Sequence, residues 1–329
     1  MTAPAQATAF AVPAASEILE YHRLARARAR FSWWRPLLTG VVGVGLYLAL
    51  TVAMVVPLSL WVAQDPARMD EYFTLLETLV FFDPDNPWLF LVLVVPLILM
   101  IPVLYAASRM MQGPGVGFLS SVAGRLRWGW LAETLGWALA AFGAFYALSF
   151  AASAAAGETI VMDGAHPNTL LMVVLVVLLI PFQAAAEEYV FRGYLMQLIG
   201  SWLRHPAFAI VLPVPLFVVG HVYDVWGSLS VGIFAVVAGW LTWRTGGLEA
   251  AIALHIVNNA LIFLLATVSL ADANASAGTA LDLVFSAIVM VAFCGIVEWR
   301  MRRRALARSY TRVVWAPAPV WSQAAARLI

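Results

Sequence analysis

The chain has 329 residues, 63% hydrophobic and 11% charged, with a net charge of +1. Soluble domains carry roughly twice that charged fraction, so composition excludes an ordinary soluble enzyme and a basic nucleic-acid-binding surface. The one cysteine, Cys294, excludes a disulfide framework and a Cys-based zinc site.

The elements follow from the apolar runs. The first 36 residues form an Arg-rich tail, without the h-region and cleavage site of a signal peptide. Runs of about 18 or more apolar residues can cross a bilayer. They predict spans near 37–62, 88–107, 130–155, 169–198, 207–223, 228–243, 248–269 and 281–298. The expected fold is therefore all-α: a polytopic membrane protein of about eight transmembrane helices with its site in the bundle interior. Residues 37–168 make an N-terminal three-helix region, 169–298 a membrane core, and 299–329 a second Arg-rich tail. Segment 64–86 reads as an amphipathic helix on the outer surface. The ending WAPAPVWSQAAARLI is broken by proline and reads as loosely ordered.

All basic residues are arginine, and the arginine and alanine usage points to a bacterial source. Eighteen of the 19 arginines, from Arg23 to Arg327, fall on the side of the termini, and Arg68 alone falls opposite. The opposite loops are acidic, with Asp65, Asp70, Asp83, Asp85, Asp224, Asp272 and Asp282 among them. The positive-inside rule then places both termini in the cytoplasm, in a bacterial inner membrane. The Arg-rich tails set that orientation and can also meet anionic headgroups of the lipid bilayer.

Ionisable groups inside spans cost roughly 2.5–3.5 kcal/mol or more each and mark candidate sites. They occur in three stretches. In EEYVFRGYL (187–195), Glu188 and Arg192 stand one turn apart and can neutralise each other. Glu187 points about 100° away and has no local partner in the sequence. In FVVGH (217–221), Phe217 and His221 share a face. In HIVNN (255–259), His255 and Asn259 share a face, with Asn258 rotated away. At 1.5 Å per residue these groups fall at depths of about 10–20 Å from the cytoplasmic side, so one pocket in the inner half of the membrane can hold them all. Pro213 and Pro215 interrupt the span that carries His221.

Two chemistries fit these parts. A carboxylate and an imidazole can take a proton from water while a second histidine and an amide stabilise an oxyanion. Alternatively, Glu187, His221 and His255 could ligate a single divalent metal such as zinc. No HExxH signature is present, and no serine or cysteine nucleophile stands beside a base.

These residues carry a family resemblance. EEYVFRGYL resembles the EExxxR motif of the CPBP intramembrane proteases, the CaaX-protease and bacteriocin-processing (ABI) family. FVVGH resembles its FxxxH motif and HIVNN its HxxxN motif, in the same order, across about residues 170–265. The resemblance implies that Glu187 and His221 activate water, with Glu188 assisting. It implies that His255 and Asn259 form an oxyanion hole, and that Glu188 and Arg192 position the site. It leaves the metal open. It implies a membrane-anchored or amphipathic peptide or protein as substrate, cut near the cytoplasmic leaflet. The alternative is a non-catalytic scaffold of the same fold, or a self-immunity protein, acting on a partner membrane protein. A transporter would want paired helix breaks in two halves, which the chain lacks. The oligomeric state is not readable.

Overall fold

The computed structural model describes residues 11–78, 82–157, 159–162 and 166–317. Arg327 and the rest of the chain after 317 lie outside the described residues. Strand β1 (Ala11–Glu20) runs into a short 3-10 helix, Tyr21–Ala27. The helices follow: α1 (Arg35–Val62), α2 (Pro66–Thr78), α3 (Pro87–Gln112), α4 (Trp128–Ala155) and α5 (Thr169–Glu188). A π-helical turn, Tyr189–Leu195, joins α5 to α6 (Met196–Trp202) without a break. Then come α7 (Pro206–Val211), α8 (Val214–Val219), α9 (Val225–Thr245), α10 (Glu249–Ala266), α11 (Ala280–Arg303) and β2 (Ser309–Pro317).

Seven of the described helices are long and apolar enough to cross a membrane, counting Thr169–Trp202 as one. The expected fifth span is different. It is broken into α7 and α8, a short apolar pair over Pro206–Val219. The cause is local: α7 stops before Pro213, and Pro215 opens α8, each removing a backbone N–H that a continuous helix would need. His221 consequently lies beyond the helix, in a non-helical connection to α9 rather than on a span.

The two ends of the bundle can be told apart by their hydrogen bonds. At one end Arg35 donates to the Met111 carbonyl, the Trp202 indole donates to Trp33, and Arg127 donates to the Thr245 and Ala307 carbonyls. β1 and β2 pair there as an antiparallel two-stranded sheet, from Ala11 opposite Pro317 to Glu20 opposite Ser309. At the far end His166 meets Asp85, Asn274 meets Phe82, and Asp224 N–H meets Ser276. Among the described residues, seven long helices and the shorter broken α7–α8 stretch run between the two ends, and both described tails lie at the same end. The described parts of the tails are thus paired with each other. Among the described residues β1 and β2 are the strands in an otherwise helical architecture, and the start of WAPAPVWSQAAARLI belongs to β2. α2 covers most of the described part of segment 64–86.

Helix α10 is the centre of the bundle, packed against α4, α5, α9 and α11. Its first turns can approach closely because Ala250, Ala251 and Ala253 are small and fully buried. Small residues at such contacts let backbones come together where lipid offers no hydrophobic drive between helices. The packing crosses residue 168: Trp130, Ala138 and Phe142 of α4 join a core with Phe293 and Val297 of α11. In contrast, Val41, Val44 and Val52 of α1 are exposed, as on a lipid-facing surface.

The N-terminal segment closes the termini end. Tyr21 is fully buried and donates its hydroxyl to the Leu119 carbonyl at 2.5 Å. His22 lies against α6, where its Nε2 donates to the Arg204 carbonyl at 2.8 Å, and burial pushes its pKa below the ordinary histidine value. Gly200 of α6 makes that approach possible, since a Cβ there would collide with the His22 carbonyl.

Candidate active site

The long α5–α6 helix presents the carboxylates. Glu187 lies 15 residues before Trp202, a rise of about 22 Å at 1.5 Å per residue, so it sits deeper than the expected helix end at 198 implied. Glu187 is 8% exposed and Glu188 0%. The π-helical turn begins directly after them; such wider turns recur at functional sites.

Glu188 is held from two sides. Its Oε1 accepts from Arg192 Nη1 at 2.9 Å and from His255 Nδ1 at 2.8 Å. Arg192, also buried, donates to the Ala235 carbonyl at 3.2 Å and lies over the Phe217 ring at 4.5 Å. The expected neutralising pair is thus formed, but deep in the bundle rather than at the cytoplasmic end of the span. Removing one partner of such a pair would strand a buried charge.

Glu187 does have partners, contrary to the expectation from its neighbours in sequence. Gln183, one turn earlier, donates from Nε2 to Glu187 Oε1 at 2.5 Å. His255 Nε2 stands 3.7 Å from Glu187 Oε2. That second oxygen is buried and accepts no hydrogen bond among the described residues. Gln183 also accepts from Asn259 Nδ2 at 3.1 Å, so one amide ties α5 to α10. Asn258 is not turned away: it lines the same cavity as Asn259 and donates to its Oδ1 at 3.0 Å.

His221 approaches from the connection after α8. Its Nδ1 must donate to the Phe217 carbonyl, at 2.8 Å, because a carbonyl can only accept. That fixes the tautomer and leaves Nε2 with a free lone pair. Phe217 lies 4.7 Å from the His221 ring and 6.4 Å from the His255 ring, between centroids. His221, His255, Asn258 and Asn259 border one cavity of about 160 Å³. Tyr223 borders it too and lies within electrostatic reach of Glu187.

The expected residues therefore converge: Glu187, Glu188, Arg192, Phe217, His221, His255 and Asn259. Sequence reasoning missed Gln183, whose signal was its spacing of four from Glu187. It also missed Phe234, whose ring packs 4.9 Å from His255. As for a metal, no three His, Cys, Asp or Glu side chains among the described residues are arranged as a ligand set. His255 Nδ1–H is given to Glu188 and His221 Nδ1–H to the Phe217 carbonyl, so Nε2 is the ring nitrogen that either histidine could offer a metal. The alternative set of Glu187, His221 and His255 is not preassembled.

Other acids and histidines have structural partners. Glu249 is fully buried in a two-point pair with Arg127 at 2.7 and 2.9 Å. Asp224 caps α9 through Gly227 N–H, and His205 caps α7 through Ala207 N–H.

Residues 166–261 match the family model described as Type II CAAX prenyl endopeptidase Rce1-like. That window contains all three motifs and agrees with the CPBP resemblance. The chain is also 33% identical over 89 residues to the uncharacterized protein YyaK of Bacillus subtilis (strain 168), over 25% of this chain and 30% of that protein. The match therefore spans less than a third of that relative. No solved structure matches the chain.

Proposed function

We propose that this membrane protein, whose segment 166–261 carries the CAAX-protease-type signature, is an intramembrane endopeptidase. The observation that carries the reading is the Glu187 carboxylate: it is buried, one oxygen is held by Gln183, and the other has no hydrogen-bond donor among the described residues. A buried polar atom without a partner is costly unless function uses it.

In the proposed reaction a water is held by Glu187 Oε2 and His221 Nε2. Its proton passes to that pair as its oxygen attacks the scissile carbonyl carbon. The carbonyl oxygen gains the negative charge and accepts a hydrogen bond from the second N–H of the Asn259 amide, and one from His255 Nε2 with that ring doubly protonated, since its Nδ1 already donates to Glu188. When the C–N bond breaks, the leaving nitrogen takes the proton back. Glu188 and Arg192 act on His255: they fix its ring through Nδ1. The substrate is a membrane-anchored or amphipathic peptide or protein. The membrane is a bacterial inner membrane, with the Arg-rich end and both termini in the cytoplasm.

The test is cleavage of a panel of fluorogenic membrane-anchored peptides by purified protein in nanodiscs, with and without chelator. The expected result is cleavage by wild type that survives the chelator and is lost in His221→Ala. Loss with chelator would make Glu187, His221 and His255 metal ligands. No cleavage of any peptide would favour the scaffold reading.

A further inference from the structure

The arginines at the termini end are not alike. Five acids lie at that end, and each is engaged. Glu17 reaches Arg26 and Arg312, Glu133 reaches Arg300 and Arg304, and Glu249 holds Arg127. Glu298 takes Arg244 and Arg302, and Glu20 faces His22 and the Trp243 indole. These pairs serve α4, α9, α11 and the strand pair. The side made by the start of α1 and the end of α3 has no such pair. Among the described residues, Arg28, Arg30, Arg35 and Arg109 meet no carboxylate.

These four arginines converge on one turn. Arg28 is 3% exposed, and its guanidinium donates only to neutral acceptors: the Ser108 hydroxyl and carbonyl, and the carbonyls of Gly113 and Pro114. Burial and the nearby Arg109 charge push its pKa down to about 10, so it stays a cation near neutrality. Arg35 donates from Nη1 to the Met111 carbonyl, and its Nε is buried without an acceptor. The stem of Arg30 packs against Gly113, and Arg109 belongs to the same end of α3. Arg30 and Arg109 are exposed, and among the described residues their guanidinium groups make no hydrogen bond. The helix poles do not offset this charge. The positive pole of α1 and the negative pole of α3 meet there, each about half an elementary charge, and they cancel.

We propose that this turn binds the phosphate of an anionic phospholipid headgroup. Arg30 and Arg109 supply free donors, Arg35 flanks them with a guanidinium only partly used, and Arg28 is a fixed charge behind them. Guanidinium matches phosphate geometry, and the charge-assisted bonds between them are strong. The adjoining surface makes the occupant a lipid rather than a soluble phosphate. Trp33, Trp34 and Met110 are exposed around the cluster, and Leu37, Val41 and Val44 of α1 continue from it as an exposed apolar strip. Acyl chains lie along that strip while the headgroup stays level with the tryptophans, as interfacial indoles require. A free phosphate makes no use of the strip. Arg28 and Arg30 follow directly on the 3-10 helix that brings His22 against Gly200 of α6, so a bound headgroup holds that docking in place. The site does not depend on the hydrolytic reading.

The experiment uses the full chain in detergent, offered phosphatidylglycerol and phosphatidylcholine in equal amounts, with retained lipid counted by native mass spectrometry. The double variant Arg30→Gln, Arg109→Gln removes two exposed guanidinium groups from the cluster. A control, Arg125→Gln, Arg308→Gln, removes as much charge from exposed positions elsewhere at the same end. The expected result is that wild type and the control retain phosphatidylglycerol preferentially, and that the Arg30/Arg109 variant loses this preference by roughly tenfold or more. In nanodiscs, phosphatidylglycerol should raise the thermal midpoint of wild type and not that of the Arg30/Arg109 variant. No preference in wild type, equal preference in the two variants, or a wild-type midpoint blind to phosphatidylglycerol overturns the proposal. Inorganic phosphate that raises the midpoint in phosphatidylcholine nanodiscs as much as phosphatidylglycerol does makes the occupant a soluble anion and overturns the lipid assignment. No cleavage is measured, so a failure of the hydrolytic reading leaves this result standing.

Discussion

At the scale of single residues, Gln183 carries more of the site than its type suggests. It donates to Glu187 at 2.5 Å and accepts from Asn259 at 3.1 Å, so it sets the position of the proposed base and of one oxyanion donor together. Hydrogen bonds to charged groups are worth about 1.5–3 kcal/mol. Gln183→Leu, which removes both bonds and keeps the volume close, should lower kcat by about 10–10²-fold with little change in KM. Steady-state kinetics on the peptide panel checks this, and an unchanged kcat would remove Gln183 from the account. The carboxylates and histidines were legible because a membrane span makes an ionisable residue conspicuous. Gln183 was not, since a neutral amide is inconspicuous in a span and only its spacing of four from Glu187 marked it. Asn258 was misread because one helix was considered without its neighbours: a cavity between four elements reaches more than one helix face.

At the scale of elements, the α5–α6 helix and the N-terminal segment constrain each other. The His22 backbone lies so close to Gly200 that a methyl group has no space there. Gly200→Ala must therefore lift the 3-10 helix from α6, with the buried Tyr21 and Leu24 side chains, or shift α6. Overpacking of this kind costs about 1–3 kcal/mol. The expected outcome is a lower thermal midpoint and faster backbone hydrogen exchange across residues 21–27. Exchange equal to wild type would show that the segment is not held there. The broken fifth traverse was half legible. Pro213 and Pro215 announced a break, but the exit of His221 from the helix depended on where α8 ends. That ending sends the His221 N–H to Val218, and the His221 ring turns back onto the Phe217 carbonyl at 2.8 Å.

At the scale of the whole molecule, sorting the arginines to one end anticipated that the two described tails share an end, while the expected eight long spans became seven and the broken α7–α8 stretch. The strand pair could not be read from sequence: β1 and β2 lie at opposite ends of the chain, and strand pairing over that separation leaves no local period. The packing around the cavity was equally hidden. Depths counted along helices placed the polar groups in the inner half of the membrane, but what packs around them comes from other elements. Arg192 lies over the Phe217 ring, and Phe217, Tyr223, Ser230 and Ser286 border the cavity from α8, the connection after it, α9 and α11.

The central claim is that Glu187 takes the proton of the attacking water. Single-turnover cleavage by Glu187→Gln against wild type, in the same nanodiscs and on one substrate, tests it most directly. The substitution keeps the shape and removes the base. General-base catalysis contributes about 10²–10⁴-fold, so the account predicts a rate loss in that range. A Glu187→Gln rate within threefold of wild type would contradict it.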